Sequence, residues 1–258
     1  MKNYLIPTGC SIFAHRGGSL ESSENTLESF QYALDIGSQY IETDVQLSKD
    51  GKVYIFHDDS LTRVAGIDKN FSDLPSQEIE SIKIFNGKSI PTLEAALETF
   101  PNTRFNIDLK TDLVAEPALK ILKKHNAQDR VCIASFSDER IDLARKYIPS
   151  ICTSMGPNQI LQVRLAAWKL INPKFVSDCV QIPIYKYGIK LASKTMVDFC
   201  HANHLKVHVW TINDAKTMKK LISIGVDGII TDRPKLLQEV LNSLKNSYIS
   251  FSLKHTLE

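Results

Sequence analysis

From residue 104 onward the chain alternates short runs rich in Val and Ile with stretches of helical periodicity, and this rhythm constrains the fold more than any other feature. The runs fall at 104–109, 131–135, 151–154, 179–182, 206–211 and 228–231, with starts 27, 20, 28, 27 and 22 residues apart. Such an interval holds one strand, one covering helix and little else, as parallel βα units require. Two further runs precede them, at 10–14 and 40–46. A helix is expected between these two, over about 26–36, ended by Gly37. Asn25 is placed to cap it, with Glu28 three residues on to complete a capping box. Eight parallel strands with helices between them predict an α/β fold, the (β/α)8 TIM barrel.

One segment breaks the rhythm. Val53 to Phe56 is a ninth strand-like run, separated from the run at 40–46 by a gap too short for a helix. Asp50-Gly51 signals a two-residue hairpin turn, so the second strand is expected to pass the barrel rim and return antiparallel. Pairing Lys49 with Lys52 across that turn sets Asp44 opposite His57. Residues 59–91 lack the barrel period and read as a small insertion over the rim, before a helix starting near Thr92. The chain thus reads as one domain over 1–258, with 245–258 as a C-terminal tail in which Leu257-Glu258 resembles a cloning scar.

Charge narrows the partners. Lys plus Arg number 31 against 29 Asp plus Glu, and a net +2 leaves no reservoir of positive charge for a nucleic-acid backbone. With 43% hydrophobic and 23% charged residues the composition is that of a globular domain. No apolar run is long enough for a membrane helix or a signal peptide, so stable membrane insertion is not expected. The five cysteines, Cys10, Cys132, Cys152, Cys179 and Cys200, form no C-x-x-C pair and read as free thiols of a cytoplasmic protein.

In such barrels the chemistry sits at the carboxyl ends of the strands, where inward residues alternate with outward ones. With Phe105, Ile107 and Leu109 facing the helices, Asn106, Asp108 and Lys110 must point inward. The same alternation turns Glu42 and Asp44 to the centre. Three carboxylates then converge on neighbouring strands, and unpaired burial of each costs several kcal/mol. A hard oxygen-ligand set suits one divalent cation, Mg²⁺ or Ca²⁺, better than zinc, and an ion-pair network with Arg16 and Lys110 is the competing arrangement. His15 ends the first strand and His57 returns through the hairpin, so both reach the same mouth, where an acid and a base near neutrality are useful. Arg16 and Lys110 imply an anionic substrate. Gln181 and Trp210 end the sixth and seventh strands and are candidates to line the pocket, and His208 is expected to fill the barrel interior. Gly17-Gly18 reads as a tight turn with close backbone approach, not a dinucleotide fingerprint. His201 and His204 read as a solvated helix face.

These residues carry a pattern. His15-Arg16-Gly17-Gly18, Glu24-Asn25-Thr26, Glu42-x-Asp44, His57-Asp58, Asn106 to Lys110, Trp210 to Asn213, and Gly225 to Pro234 resemble, in order and spacing, the glycerophosphodiester phosphodiesterase family. The resemblance implies a metal-dependent enzyme that cleaves glycerophosphodiesters to an alcohol and sn-glycerol 3-phosphate on a (β/α)8 barrel. By motif position it implies Glu42 and Asp44 as metal ligands, His15 and His57 as the acid–base pair, and Arg16 and Lys110 as phosphate-binding groups. Glu24 and Asn25 would support the rim. One position departs from the pattern: the family usually carries Glu where this chain has Asp108, one methylene shorter, which implies a reshaped and weaker cation site. The rival activities are a phospholipase D on lysophospholipids and a non-catalytic barrel that binds a phosphorylated metabolite. With no exposed apolar run visible in the sequence, water-soluble head-group diesters are the expected substrates.

Overall fold

The computed structural model describes residues 2–85 and 87–255. Along the chain, strand β1 (Ser11–His15) leads through a glycine turn to helix α1 (Leu27–Ile36), then β2 (Tyr40–Leu47) and β3 (Val53–Ile55). Helices α2 (Thr62–Ala65) and α3 (Ser76–Ser81) and the small strands β4 (Lys83–Ile84) and β5 (Lys88–Ser89) follow. The βα rhythm then runs through α4 (Leu93–Thr99), β6 (Arg104–Leu109), α5 (Asp112–Lys124), β7 (Val131–Ala134), α6 (Asp138–Tyr147), β8 (Cys152–Thr153) and α7 (Pro157–Ala167). It closes with β9 (Cys179–Ile182), a hairpin of β10 (Tyr185–Lys186) and β11 (Ile189–Lys190), α8 (Lys194–Ala202), β12 (Lys206–Val209), α9 (Ala215–Ser223), β13 (Gly228–Thr231) and α10 (Pro234–His255). The helix α10 takes in most of the segment read as a tail, and residues 256–258 lie outside the described residues.

Eight of these strands are parallel and lie side by side in the order β8, β7, β6, β2, β1, β13, β12, β9. A single bridge, Ser154 with Cys179, brings the two ends together, so the expected (β/α)8 barrel is formed with a thin seam between β8 and β9. The strands are where the Val/Ile runs placed them, to within one or two residues at their ends. Outward residues of β6 pack on the helices: Phe105, Ile107 and Leu109 share one apolar cluster with Phe30, Leu97 and Leu119. That cluster wraps the half of the barrel up to Ile151, and a second one, from Met155 to Val240 together with Ile12, wraps the other half. Inside, Tyr4 from the N-terminal turn plugs the floor against Phe13 and Tyr40.

The hairpin differs from the expected register by one residue. Val45 pairs with Ile55 and Leu47 with Val53, so Phe56, not His57, stands opposite Asp44, with Phe56 N–H donating to the Asp44 carbonyl at 3.0 Å. The cause is a three-residue turn: Ser48 N–H donates to Lys52 at 2.9 Å, and Gly51 takes the left-handed φ of +86° that such a turn requires. His57 therefore stands one residue beyond the position expected. The cap of α1 also differs. Thr26 caps it, accepting from Ser29 N–H, while Ser29 completes the capping box in place of Glu28.

Residues 59–91 form a small cap with its own apolar core of Leu61, Phe71, Leu74, Ile79 and Ile82, seated on Tyr54 and Phe56 of the hairpin. Asp50 at the hairpin tip accepts from Ser76 N–H at 2.9 Å and ties the two together. Gly17 and Gly18 make the turn after β1 with φ of +82° and +97°. A side chain at Gly17 would stand 2.9 Å from the Ser29 backbone, so this glycine lets the turn lie directly on the start of α1.

Candidate active site

At the carboxyl ends of the strands the barrel opens into a cavity of about 610 Å³, bordered on one side by His15, Arg16, Glu42, Asp44, His57, Asn106, Asp108 and Lys110. Every site residue expected from the sequence, including Gln181 and Trp210, lines this one cavity. The alternation argument places the acids correctly: Glu42, Asp44 and Asp108 are all buried, on the adjacent strands β2 and β6, with Asp44 in register with Asp108.

The three carboxylates are unequally neutralised. Asp44 is held by Lys110 at 3.2 Å, by Arg16 at 3.3 Å and by the Asn25 amide at 3.3 Å. Despite burial, these cations keep its carboxyl below the usual range. Asp108 shares Lys110 at 3.2 Å through one oxygen, while the other, Oδ1, is buried without a hydrogen-bond partner among the described residues. Burial, with the nearby charge of Asp44, pushes Asp108 up to about 6. Glu42 has His15 Nε2 at 3.8 Å and the Arg16 backbone N–H at 3.3 Å, and burial with the facing acids pushes it up to about 7. The ion pairs of Arg16 and Lys110 thus account for Asp44 and half of Asp108, and leave Glu42 and one Asp108 oxygen lacking positive charge.

Both histidines are oriented by an aspartate on Nδ1. His15 meets Asp232 at 2.5 Å and His57 meets Asp58 at 2.6 Å. A carboxylate on Nδ1 fixes the tautomer and leaves Nε2 as the nitrogen open to another partner. Burial alone would lower His15, but Glu42 and the hydrogen bond to Asp232 raise it. Asp232 itself is also held by Ser19 at 2.5 Å and Asn213 at 2.6 Å; burial works against its ionisation, and the His15 contact brings it to about 2. Replacing Asp232 with Asn is therefore expected to move the titration of the His15 ring about one unit to lower pH, the lower end of what a neighbouring opposite charge does. An NMR titration of that ring checks this.

Asp232 and Asp58 were not singled out as functional from the sequence, nor was Arg63. Arg63 reaches from α2 to bind Asp58 at 2.7 Å and Glu24 at 2.6 Å, while Glu24 also holds Arg16 at 3.1 Å. Glu24 does support the rim, through this chain of charges. Asn25, with φ of +55°, turns its amide to Thr43 at 2.7 Å and to Asp44 instead of capping the helix. His208 lies buried inside the barrel as expected, and His201, read as solvated, pairs with Asp227 at 2.7 Å.

Gln181 and Asn106 hold each other by their amides at 2.7 and 3.3 Å on the cavity floor. Trp210, just past β12, meets Phe136 edge-on at 5.9 Å. Beyond this pair the cavity wall turns apolar, with Met155, Ile160, Leu161, Ile182, Ile189 and Leu191. Several of its members are largely open to solvent, Tyr187 at 92%, Phe136 at 65% and Leu161 at 58%. The sequence shows no apolar run here because the wall is assembled from separate places: the segments just past β7 and β8, helix α7, the end of β9 and the β10–β11 hairpin. The absence of an exposed apolar run in the sequence thus does not carry over to the surface of the fold.

Comparison with known proteins agrees with this geometry. Residues 15–236 match the Glycerophosphoryl diester phosphodiesterase family. The chain is 35% identical to the "Probable glycerophosphodiester phosphodiesterase 2" of Mycobacterium tuberculosis, over 92% of this chain and 93% of that one. It is 27% identical to the human "Lysophospholipase D GDPD1" over 89% of this chain and 85% of the other. Its fold matches the structure of an Oleispira antarctica phosphodiesterase in complex with the product sn-glycerol-3-phosphate, with a TM-score of 0.76, 27% identity, and coverage of 90% and 96%. With the family pattern spanning most of the chain and its conspicuous side chains gathered at one mouth, the chain belongs to the glycerophosphoryl diester phosphodiesterase family and is a phosphoric diester hydrolase.

Proposed function

We propose that this enzyme cleaves glycerophosphodiesters to an alcohol and sn-glycerol 3-phosphate with His15 and His57 as its acid–base pair and one divalent cation, Mg²⁺ or Ca²⁺, held by Glu42, Asp44 and Asp108. The observation that carries this reading is the pair of imidazoles, each fixed through Nδ1 by its own aspartate beside one acidic mouth. The donor set fits a hard cation: all its atoms are carboxylate oxygens, and Asp108 Oδ1 is buried without a partner among the described residues. When bound, the cation supplies positive charge against the non-bridging phosphate oxygens. Arg16 and Lys110 add fixed charge beside the same oxygens, where negative charge grows as the reaction proceeds. One histidine takes a proton from the attacking oxygen at Nε2, and the other returns one to the departing alkoxide. Trp210 borders the carbon skeleton of the substrate, and Gln181, fixed by Asn106, shapes the floor.

Asp108 is the short member of the ligand set. Asp108→Glu is expected to tighten Mg²⁺ or Ca²⁺ binding about tenfold, the lower end of the changes seen on altering a metal site's surroundings. Calorimetric titration reads this, and unchanged or weaker binding counts against the assignment. The five cysteines, unpaired in this fold, fit a cytoplasmic address. No helix among the described residues is long and apolar enough to cross a membrane.

A second reading of substrate class rests on the apolar wall. An acylated glycerol half would lie along Phe136, Leu161 and Tyr187, which gives a lysophospholipid a place that the sequence did not reveal. Release of glycerol 3-phosphate from glycerophosphocholine tests the first reading, and cleavage of lysophosphatidylcholine tests the second. Turnover of neither, across several cations, would overturn both. The binding-only barrel has no place in a family of hydrolases.

A further inference from the structure

Below the acidic mouth the barrel interior holds three thiols that the proposed hydrolysis does not use. Cys132, Cys152 and Cys179 come from β7, β8 and β9, all buried, and their Sγ atoms lie within 4.8 Å of one another. Cys152 is the register partner of Cys132, and Cys132 Sγ stands 3.9 Å from Cys179 Sγ. Two further groups meet them. Tyr4, the plug of the barrel floor, packs in the same cluster and buries its hydroxyl without a hydrogen-bond partner among the described residues. His208 of β12 contacts Cys179, with its Nδ1 turned to Gln181 at 3.4 Å, which leaves Nε2 as the nitrogen free to bind.

Thiolates are soft donors that select zinc over Mg²⁺ or Ca²⁺. Zinc takes four ligands, and three cysteines with one histidine are among its usual structural sets. With Zn–S bonds of about 2.3 Å, sulfurs around a tetrahedral zinc stand about 3.8 Å apart, which the Cys132–Cys179 separation already approaches. We propose that Cys132, Cys152 and Cys179, with His208 as the fourth ligand, form a second metal site for Zn²⁺ inside the barrel, separate from the hydrolytic mouth. On binding, the three thiols release their protons to solvent, and zinc with three thiolates carries one net negative charge. The Tyr4 hydroxyl is the donor at hand for that charge. Because the trio is sealed from solvent, the metal enters while the barrel closes, so loading belongs to expression and not to soaking.

The test expresses the full chain in medium with added Zn²⁺, dialyses it against EDTA and measures metal per chain. About one zinc per chain is expected to survive, with a sulfur shell near about 2.3 Å by X-ray absorption. Glu42→Gln is expected to keep it, and Cys179→Ser to lose it. Folded protein without zinc, or zinc surrounded only by oxygen and nitrogen, overturns the proposal. Should Cys179→Ser fail to fold, the shell around zinc in the unmutated chain decides alone.

Discussion

Alanine at His15 or at His57 is expected to lower kcat/KM for glycerophosphocholine by about 10²- to 10⁴-fold, the range associated with losing a general acid or base. Both rings are only half-buried at the rim, so the thermal midpoint is expected to stay close to that of the parent. The double variant should fall little below the weaker single one, because groups that act in one proton relay are not additive. Steady-state release of glycerol 3-phosphate reads all three. Near-normal turnover in either single variant would remove that histidine from the mechanism, and the mutual arrangement of Asp232–His15 and Asp58–His57 would need another explanation.

The second large effect concerns stability, and its sign follows from the unequal neutralisation of the acids. Glu42 titrates near about 7, above its ordinary range, so the folded chain holds that proton more tightly than the unfolded one. Its contribution is present below the ordinary carboxyl range and is lost as pH rises toward 7. Asp108, raised to about 6, acts in the same direction. Asp44 runs the other way: its carboxyl is lowered, so its contribution is present above the ordinary range and is lost only in acid. In EDTA, unfolding free energy is therefore expected to fall by roughly 3 kcal/mol between about pH 5 and pH 8 on account of Glu42 alone. Mg²⁺ or Ca²⁺ at a hundred times its Kd should restore about 2.7 kcal/mol. Glu42→Gln is expected to flatten the profile and abolish the cation response. Denaturant melts across pH, with and without cation, measure it. A parent protein indifferent to both ions would defeat the assignment of the acids to a metal.

Much of this was legible in the chain because strand alternation is a two-residue period that leaves no freedom: once Phe105, Ile107 and Leu109 face the helices, Asp108 and Lys110 must enter the barrel. The hairpin register was not, because Asp50-Gly51 serves equally in a two-residue turn and in the three-residue turn that forms, and only the φ of Gly51 with the Ser48–Lys52 bond decides between them. Asn25 satisfies the chemistry of a cap, yet its amide is claimed by Thr43 and Asp44 from another strand, a competition invisible in local sequence. The aspartate behind His15 lies 217 residues away, and closing the barrel is what brings them together. The thiol trio reads in the sequence only as free cysteines, since their meeting depends on the registers of β7, β8 and β9.

The seam at β8 and β9 gives the molecule two unlike flanks. The acids and His15 sit on the long, fully laddered strands β1, β2 and β6, whereas the apolar wall grows from elements beside the single-bridge closure. Natural variation can therefore remodel the loops of the apolar wall without disturbing the strands that carry the acids and His15. One scaffold of this kind is open to new substrates by drift along one edge, while its chemistry stays fixed on the other.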